Sequence, residues 1–277
     1  MTDNKQRTPI ALTIAGSDSS GGAGIQADLK TFCAFGVYGA SVLTALTAQN
    51  TRGVDAVFAV PAEFVSAQMT SVFSDLAVGA AKTGMLANAE IITAVADALA
   101  TQTSLPLVCD PVMVATSGDV LLDPAAIGAL KTKLIPRAAL VTPNLPEAAR
   151  LLDMPEARDE AAMIDQAHRL KALGCGAVML KGGHGTQDEA TDILLSDAGV
   201  KRLSMPRLAT PNTHGTGCTL AASVAALLAS GETLERAVER AKLYVWRALE
   251  AGADLRVGRG SGPVDHLFAA KRHDPPA

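Results

Sequence analysis

The sequence is poor in aromatic side chains, with one Trp, two Tyr and six Phe among 277 residues. Ala, Val, Leu and Ile must therefore build most of any core. Hydrophobic residues make up 48% of the chain and charged residues 19%, which excludes global disorder. Area scaling indicates that folding removes about 73% of the unfolded chain's surface from water. This is enough for a large hydrophobic core that needs no disulfide or structural metal.

Paired cysteines and long apolar runs are also lacking. Cys33, Cys109, Cys175 and Cys218 lie far apart, and no two have the C-x-x-C spacing. This argues against a zinc ribbon and favours reduced thiols. No apolar run is long enough to span a bilayer, and the N-terminal segment does not resemble a signal peptide. We expect a soluble, cytoplasmic protein without a membrane partner.

The chain has no excess of basic residues, and its formal net charge is −4. This argues against a nucleic-acid partner but not against a small local anion site. No Gly-Lys pair occurs, which excludes a P-loop. The segment 22–27 matches G-x-G-x-x-A, the glycine pattern of dinucleotide-binding folds. In those folds the glycines follow the strand at once, whereas here residues 17–21 lie between them. Asp55 also comes too late in the sequence to contact the ribose. An NAD-dependent oxidoreductase is therefore disfavoured.

Short apolar runs alternate with longer helix-like segments. The runs are continuous, which is typical of strands covered on both faces. The predicted strands are 10–15, 41–47, 76–82, 105–110, 138–142 and 177–181, followed by an antiparallel pair, 191–195 and 201–205. The predicted helices are 25–35, 62–73, 89–100, 124–133, 147–152, 160–173, 217–229 and 233–251.

This alternation predicts an α/β fold with a largely parallel sheet and helices on both faces. No linker or repeat divides the chain, so we expect a single domain over 1–277 with flexible ends at about 1–8 and 270–277. Ligands of such sheets bind beyond the carboxyl ends of the strands. Glycines or polar residues follow six predicted strands, at 16–24, 49–50, 83–85, 110–112, 143–147 and 181–184. A site shared by these loops is expected.

The segment 212–219, Asn-Thr-His-Gly-Thr-Gly-Cys-Thr, runs directly into an Ala-rich helix. Gly215 and Gly217 allow close backbone approach, and the helix start offers free N–H groups and a positive dipole end. The pattern predicts an oxyanion or phosphate cradle; a glycine-rich helix start with a buried thiol is the alternative.

Cys218 lies in the first turn of that predicted helix. A helix N-terminus lowers the pKa of a thiol, so a thiolate here could accept a proton from a substrate hydroxyl. A covalent nucleophile is the alternative, with the neighbouring His214 as its activator. A structural thiol also fits the sequence.

Two residues are candidates for recognising a heterocycle. The Gln49 amide carries both a donor and an acceptor, so it could pair with a ring nitrogen beside an exocyclic amine. Met85 could form one apolar face of such a pocket. A strand-capping glutamine and a core methionine are the structural alternatives.

Three charged residues follow predicted strands. Asp110 and Glu147 offer the hard oxygen ligands that suit Mg²⁺ shared with substrate phosphates. Lys181 could reach an ATP phosphate as a point charge. Loop capping and solvated charge are the alternatives for all three.

Taken together, the segments resemble the ribokinase superfamily, and within it the hydroxymethylpyrimidine/phosphomethylpyrimidine kinases of thiamine biosynthesis. The similarity extends from Ala15 to His266. It rests on AGSDSSGGAGIQADLKTF, TALTAQNT, KTGML, DPVM, TPNLPEA, KGGH, NTHGTGCTL and GRGSGPVDH, in the order of that family.

The resemblance implies a three-layer α/β/α ribokinase-like fold, a homodimer, and ATP- and Mg²⁺-dependent phosphorylation of 4-amino-5-hydroxymethyl-2-methylpyrimidine and then of its monophosphate. It implies Cys218 as the catalytic base beside Gly215, Thr216 and Gly217. It implies a metal near Asp110 and Glu147. It further implies ATP contacts at Asn144, Lys181 and Thr213, and pyrimidine contacts at Gly16, Ala23, Asp28, Gln49, Met85 and Val112.

Most members of the superfamily carry Asp where this chain has Cys218, and the substitution fits the pyrimidine-kinase branch. A thiol ionises less readily than a carboxylate at neutral pH, so the strength of this base is open. A pyridoxal or pyridoxine kinase, with or without dual activity, is the nearest alternative. A nucleotide-binding module without turnover is a further one.

Overall fold

The computed structural model describes residues 8–115, 118, 119, 121–183 and 188–270. Nine strands form one sheet in the order β3-β2-β1-β4-β5-β6-β7-β8-β9. The strands are β1 (Ile10–Asp18), β2 (Tyr38–Asn50), β3 (Gly53–Ala59), β4 (Ala80–Thr83), β5 (Leu107–Cys109), β6 (Leu140–Val141), β7 (Val178–Lys181), β8 (Glu189–Ser196) and β9 (Gly199–Pro206).

The six central strands, from β2 to β7, pair in parallel. Their interiors are buried on both faces, which explains the continuous apolar runs in the sequence. The strands β3, β8 and β9 are added at the two edges in antiparallel pairs. The predicted largely parallel sheet and the late antiparallel pair are therefore confirmed.

Helices cover both faces of the sheet. They are α1 (Gly24–Ala34), α2 (Ala62–Asp75), α3 (Ala89–Ala100), α4 (Ile127–Ala129), α5 (Leu145–Leu152), α6 (Glu160–Lys171), α7 (Thr216–Ala229) and α8 (Leu234–Gly252). One apolar core lies under α2, α3, α5 and α6, and a second lies under α1, α7 and α8. The Ala-rich face of α7 lets this helix pack closely on the sheet, so small side chains replace the missing aromatic ones. This is the expected three-layer α/β/α fold.

Two local predictions were wrong. The strand β3 was not predicted, because it is an exposed edge strand in which Asp55 interrupts the apolar pattern. The expected helix over 124–133 is a 3₁₀ turn, the short α4 and a π-helical turn, Leu130–Leu134. Gly128 weakens its centre, and Pro136, just beyond it, cannot continue an α-helical hydrogen-bond pattern.

Within the described ranges, no helix is both long and apolar enough to cross a membrane. The expectation of flexible ends at about 1–8 and 270–277 falls, except for residues 8 and 270, on residues outside those that the structure describes. His184, the last residue of the KGGH motif, also lies outside them.

Candidate active site

A cavity of about 570 Å³ opens at the carboxyl ends of the parallel strands. This volume suits a small-molecule site. Of the fifteen predicted site residues, fourteen line it: Gly16, Ala23, Gln49, Met85, Asp110, Val112, Asn144, Glu147, Lys181, Thr213, Gly215, Thr216, Gly217 and Cys218. The structure therefore brings loops from six strands together at one place, as the sequence predicted.

The anion loop, residues 212–218, leads into α7. Gly215 has φ 79°, and a Cβ there would overlap the carbonyl oxygen of Gly22. Only glycine fits this left-handed turn against the neighbouring loop. The turn directs the free N–H groups at the start of α7 toward the cavity, where they can receive an anion.

Cys218 occupies the first turn of α7 and is half-buried. Gly24, at the start of α1, lines the cavity with Cys218, and its backbone N–H slightly lowers the pKa of the thiol. Two helix N-termini therefore meet at this thiol.

Burial nevertheless raises the pKa of the Cys218 thiol to about 11, although the Lys82 ammonium opposes this shift. The expectation of a lowered pKa was therefore wrong for the free protein. Removal from water disfavours the thiolate, and the negative charges of Asp28 and Asp110 add to this effect. The thiol is protonated near neutral pH.

His214 was a possible activator of Cys218, but its Nε2 lies 2.8 Å from Asp18 Oδ2. The side chain is buried, and its Nε2 is occupied by this hydrogen bond. The geometry therefore does not support an activated cysteine nucleophile of the Cys–His type.

Asp28 is the one predicted site residue that does not line the cavity. Its two oxygens accept hydrogen bonds of 2.9 and 2.8 Å from Lys82 Nζ, and Thr13 Oγ1 donates a third at 2.6 Å. All three side chains are buried. The expected direct contact with substrate is therefore replaced by a buried ion pair below the cavity.

Asp110 and Lys181 form the charged wall of the cavity. Lys181 Nζ lies 3.0 Å from Asp110 Oδ1, which also accepts a hydrogen bond from Thr142 Oγ1 at 3.0 Å. Lys181 Nζ would lie 3.2 Å from a Cβ at Gly217, so the ammonium reaches the start of α7. A positive charge beside a helix N-terminus suits a phosphate group.

Glu147 and Asn144 form a capping box at the start of α5. The Glu147 backbone N–H donates to Asn144 Oδ1, and the Asn144 N–H donates to Glu147 Oε2, both at 2.8 Å. Burial raises the pKa of Glu147 to about 7, against the lowering effect of Lys181, and Asp110 raises it further. A bound cation would relieve this accumulation of carboxylates.

The donor set of this wall fits Mg²⁺. Two carboxylates face one cavity, and Mg²⁺ commonly takes one or two of them together with waters and substrate phosphates. Among the residues that the structure describes, no cluster of three or more His, Cys, Asp or Glu forms a complete protein cage. A site completed by phosphate oxygens is consistent with both observations.

The opposite wall is mainly apolar. Met85 is buried beside Gly16, where a Cβ would lie 2.9 Å from the Met85 sulfur. Thr44 Oγ1 donates to the Met85 carbonyl at 2.6 Å and fixes its backbone. Gln49 Oε1 accepts a hydrogen bond of 3.0 Å from Thr47 Oγ1, which orients the amide. These contacts form a slot for a flat ring with one polar edge.

Sequence reasoning missed part of the cavity. Its far end is lined by Arg207, Lys242, Trp246 and Leu249 from the β9 end and α8. Helical positions on the face of a late amphipathic helix carry no motif that would single them out. Lys82 was detectable in principle, since a lysine inside a buried strand requires a partner.

The chain was compared with known proteins. The model of the phosphomethylpyrimidine kinase family matches residues 18–265. The chain belongs to the phosphomethylpyrimidine kinase family. The resemblance noted in the sequence is thereby confirmed.

Two relatives in this family are similar to the chain over nearly their whole length. The hydroxymethylpyrimidine/phosphomethylpyrimidine kinase of Rhizobium meliloti is 56% identical, with 94% of this chain and 97% of that protein covered. The enzyme of the same name from Escherichia coli is 52% identical over the same shares. The solved ADP complex of Bacillus subtilis pyridoxal kinase superposes with a TM-score of 0.88 at 37% identity, covering 95% of this chain and 99% of that one.

Proposed function

We propose that this chain phosphorylates 4-amino-5-hydroxymethyl-2-methylpyrimidine with ATP, and then phosphorylates the monophosphate to the diphosphate in thiamine biosynthesis. The observation that carries the proposal is one cavity in which Gln49, Lys181 and Cys218 meet beside a helix N-terminus. Its relatives that bear the name of this activity are 52% and 56% identical to the chain. The fold also supports it, because kinases of this architecture bind nucleotides.

In the proposed mechanism, the polar edge of Gln49 holds the aminopyrimidine, and Gly16, Ala23, Met85 and Val112 contact the ring. Pairing through a donor and an acceptor fixes the ring's orientation. The hydroxymethyl group then points toward the start of α7. Asp28 supports this wall only from below, through Lys82.

The thiolate form of Cys218 accepts the proton of the hydroxymethyl group as the hydroxymethyl oxygen bonds to the γ-phosphorus of ATP, and the bond from that phosphorus to the leaving ADP oxygen breaks. The N–H groups of Gly215 and Gly217 stabilise charge on the transferring group, and Thr216, whose N–H donates to the Thr213 carbonyl at 3.3 Å, holds the loop in place between them. Phosphoryl transfer depends mainly on positioning and charge stabilisation, so even a weak base can support turnover. Because the thiol of the free protein is protonated near neutral pH, we expect this base to work better as pH rises.

Lys181, Asn144 and Thr213 are proposed to hold the ATP phosphates. Asp110 and Glu147 would hold Mg²⁺ on the same side, where the ion, when bound, neutralises phosphate charge. The Lys181–Asp110 pair keeps the ammonium directed along this wall. The extension lined by Trp246 and Leu249 provides an apolar surface for the nucleotide base.

Pyridoxal phosphorylation is the second candidate. It is favoured by the close superposition on a pyridoxal kinase, whose identity of 37% is below the 52% and 56% of the two pyrimidine kinases described above. Both ring systems are flat and carry a hydroxymethyl group, so shape alone does not separate them.

The experiment compares kcat/KM for the hydroxymethylpyrimidine, its monophosphate and pyridoxal, with ATP and Mg²⁺. We expect the pyrimidine to exceed pyridoxal and the monophosphate to be turned over. A higher kcat/KM for pyridoxal would reject the pyrimidine assignment. Nucleotide binding without turnover of any of the three would instead indicate a non-catalytic module.

We further propose that the chain acts as a single catalytic domain and as a homodimer in the cytoplasm. Edge strand β3 has exposed residues along its length, including Val57 and the 64% exposed Phe58. Phe64 on the neighbouring α2 is also exposed. Apolar residues on an unpaired edge favour a second copy as partner. Light scattering of the wild type should give twice the mass of one chain. Phe58→Glu should reduce the measured mass to that of one chain, and an unchanged mass in this variant would reject this edge as the interface.

A further inference from the structure

Asp18 and His214 lie outside every role assigned so far, although they are 196 residues apart in sequence and touch in the structure. Asp18 ends β1 and His214 precedes α7. Both are buried, at 3% and 6% exposure. The pair connects the loop that begins α1 with the anion loop that begins α7.

The Asp18 carboxylate organises the loop that begins α1. Oδ1 accepts hydrogen bonds from the backbone N–H and the hydroxyl of Ser20, at 2.8 and 2.7 Å. Oδ2 accepts from the backbone N–H of Gly22 at 3.1 Å and of Ala23 at 2.8 Å. His214 Nε2 then adds a further contact to Oδ2. One side chain therefore fixes both the shape of its own loop and the position of the other.

The two loops also interlock without side chains. A Cβ at Gly22 would overlap the His214 ring, and a Cβ at Gly215 would overlap the Gly22 carbonyl oxygen. The two loops are therefore in direct contact at these positions, with no room for an added side chain between them. A small change in the position of His214 must displace Gly22, and with it the start of α1.

The contact between Asp18 and His214 affects the position of Cys218 through both loops. Gly24, at the end of the first loop, lines the cavity with Cys218, and the backbone of Cys218 belongs to the helix that the second loop begins. Relative movement of the loops therefore changes the surroundings of the sulfur. We propose that Asp18 and His214 are a positioning pair that holds the N-termini of α1 and α7 in register around Cys218.

Charge agrees with this geometry. Burial would raise the pKa of the Asp18 carboxyl, but hydrogen bonds from His214, Ser20 and Ala23 hold it well below its usual range. The carboxylate form therefore persists across the working range of pH. An amide at position 18 would direct one NH₂ group at backbone donors, so Asp18→Asn cannot replace it.

The test compares His214→Gln with His214→Asn, because Gln places its amide nitrogen near the position of Nε2 and Asn falls short. We expect His214→Asn to lower kcat at least tenfold, with KM for ATP within threefold of wild type. His214→Gln should retain kcat within threefold. His168→Ala, at an exposed histidine on α6, is the matched control and should behave like wild type.

A second measurement needs no substrate. Iodoacetamide labelling at pH 8.5, resolved by peptide mass, gives the rate at Cys218 relative to the exposed Cys33. We expect His214→Asn to raise this ratio at least fivefold, because displacement of the two loops exposes the sulfur, and His214→Gln to keep it within twofold.

Equal behaviour of the two variants, in turnover and in labelling, would overturn the proposal. So would a wild-type labelling ratio in a folded His214→Asn protein. The inference extends the proposed function, but the two fail separately: an inactive wild type would reject the pyrimidine kinase, while the labelling ratios would still decide the positioning role. Thermal melts of both variants establish that each is folded.

Discussion

Lys82 and Asp28 form an ion pair with no solvent exposure on either side chain, in which Nζ lies 2.9 and 2.8 Å from the two carboxylate oxygens. Burial lowers the Lys82 pKa, but the charge of Asp28, with smaller contributions from Cys218 and Asp110, raises it overall, so the ammonium is retained. Thr13 donates to the same carboxylate. The arrangement joins β1, β4 and α1 directly below Cys218.

Removing one partner of this pair should be costly. Lys82→Met leaves a buried carboxylate without its cation, and such changes cost about 3–5 kcal/mol. Urea unfolding should show this loss in Lys82→Met and a comparable loss in Asp28→Leu.

The double variant Lys82→Met/Asp28→Leu is the informative control. It removes both charges, so we expect it to be more stable than either single variant. Losses that simply add in the double variant would contradict the buried-pair interpretation. Lys171→Met, at an ion pair with the exposed Asp197, should change stability by less than about 1 kcal/mol.

The Cys218 thiol should determine how turnover depends on pH. Its pKa of about 11 means that the thiolate fraction increases with pH through the neutral range. We expect kcat/KM to rise close to tenfold per unit between pH 7 and pH 9. Cys218→Ala should lose at least about tenfold in turnover while binding of the pyrimidine persists.

Cys218→Asp provides the matched comparison, since a carboxylate is already ionised at neutral pH. It should retain more activity than Cys218→Ala and flatten the pH profile. Turnover of Cys218→Ala equal to wild type would remove this residue from the role of base.

Gln49 should discriminate between ring systems. Gln49→Leu removes both hydrogen-bonding atoms while keeping the side chain's size, so KM for the hydroxymethylpyrimidine should increase about tenfold or more. KM for ATP should stay within twofold. Gln102→Leu, at a half-buried position beyond α3, is the control, and an unchanged pyrimidine KM in Gln49→Leu would exclude the proposed pairing.

His266 should make the fold sensitive to acid. Burial lowers its pKa to about 4, with a smaller contribution from Lys30, and its Nε2 lies 3.0 Å from Thr219 Oγ1 in α7. The unfolded chain takes up this proton near pH 6.5, whereas the folded chain does not. Stability is therefore lost as pH falls from about 6.5 toward 4, by about 3 kcal/mol in total.

The difference between wild type and His266→Gln isolates this effect. Glu147, with a raised pKa of about 7, titrates in an overlapping range with the opposite sign, because its folded form keeps the proton longer. Urea unfolding between pH 7 and pH 4 should give a shallower acid loss for His266→Gln. Parallel curves for the two proteins would contradict the buried neutral histidine.

Much of the fold follows from local pattern. Continuous apolar runs mark strands that are covered on both faces, and the parallel arrangement follows from the helices between them. The edge strand β3 could not be predicted from the sequence, because an exposed strand has only a weak apolar pattern. The irregular helical turns over 124–137 did not follow either, since packing overrides weak helix propensity there.

The position of the site could be predicted from the loops that follow the strands. Parallel strands bring their carboxyl ends to one edge, so polar residues after six strands predicted a shared cavity. Helix α8 also lines that cavity, but contact across the tertiary fold is needed to bring Trp246 there. No spacing in the sequence indicates it.

The sequence by itself determined the order of strands and helices, the glycine loops at the strand ends and the family. Each of these depends on neighbours along the chain. Only the tertiary structure decided that Asp28 pairs with Lys82, that His214 meets Asp18, and that burial outweighs the Lys82 charge at the Cys218 thiol. These are relationships between distant residues in a medium of low polarity, where partner and burial set the charge of each group.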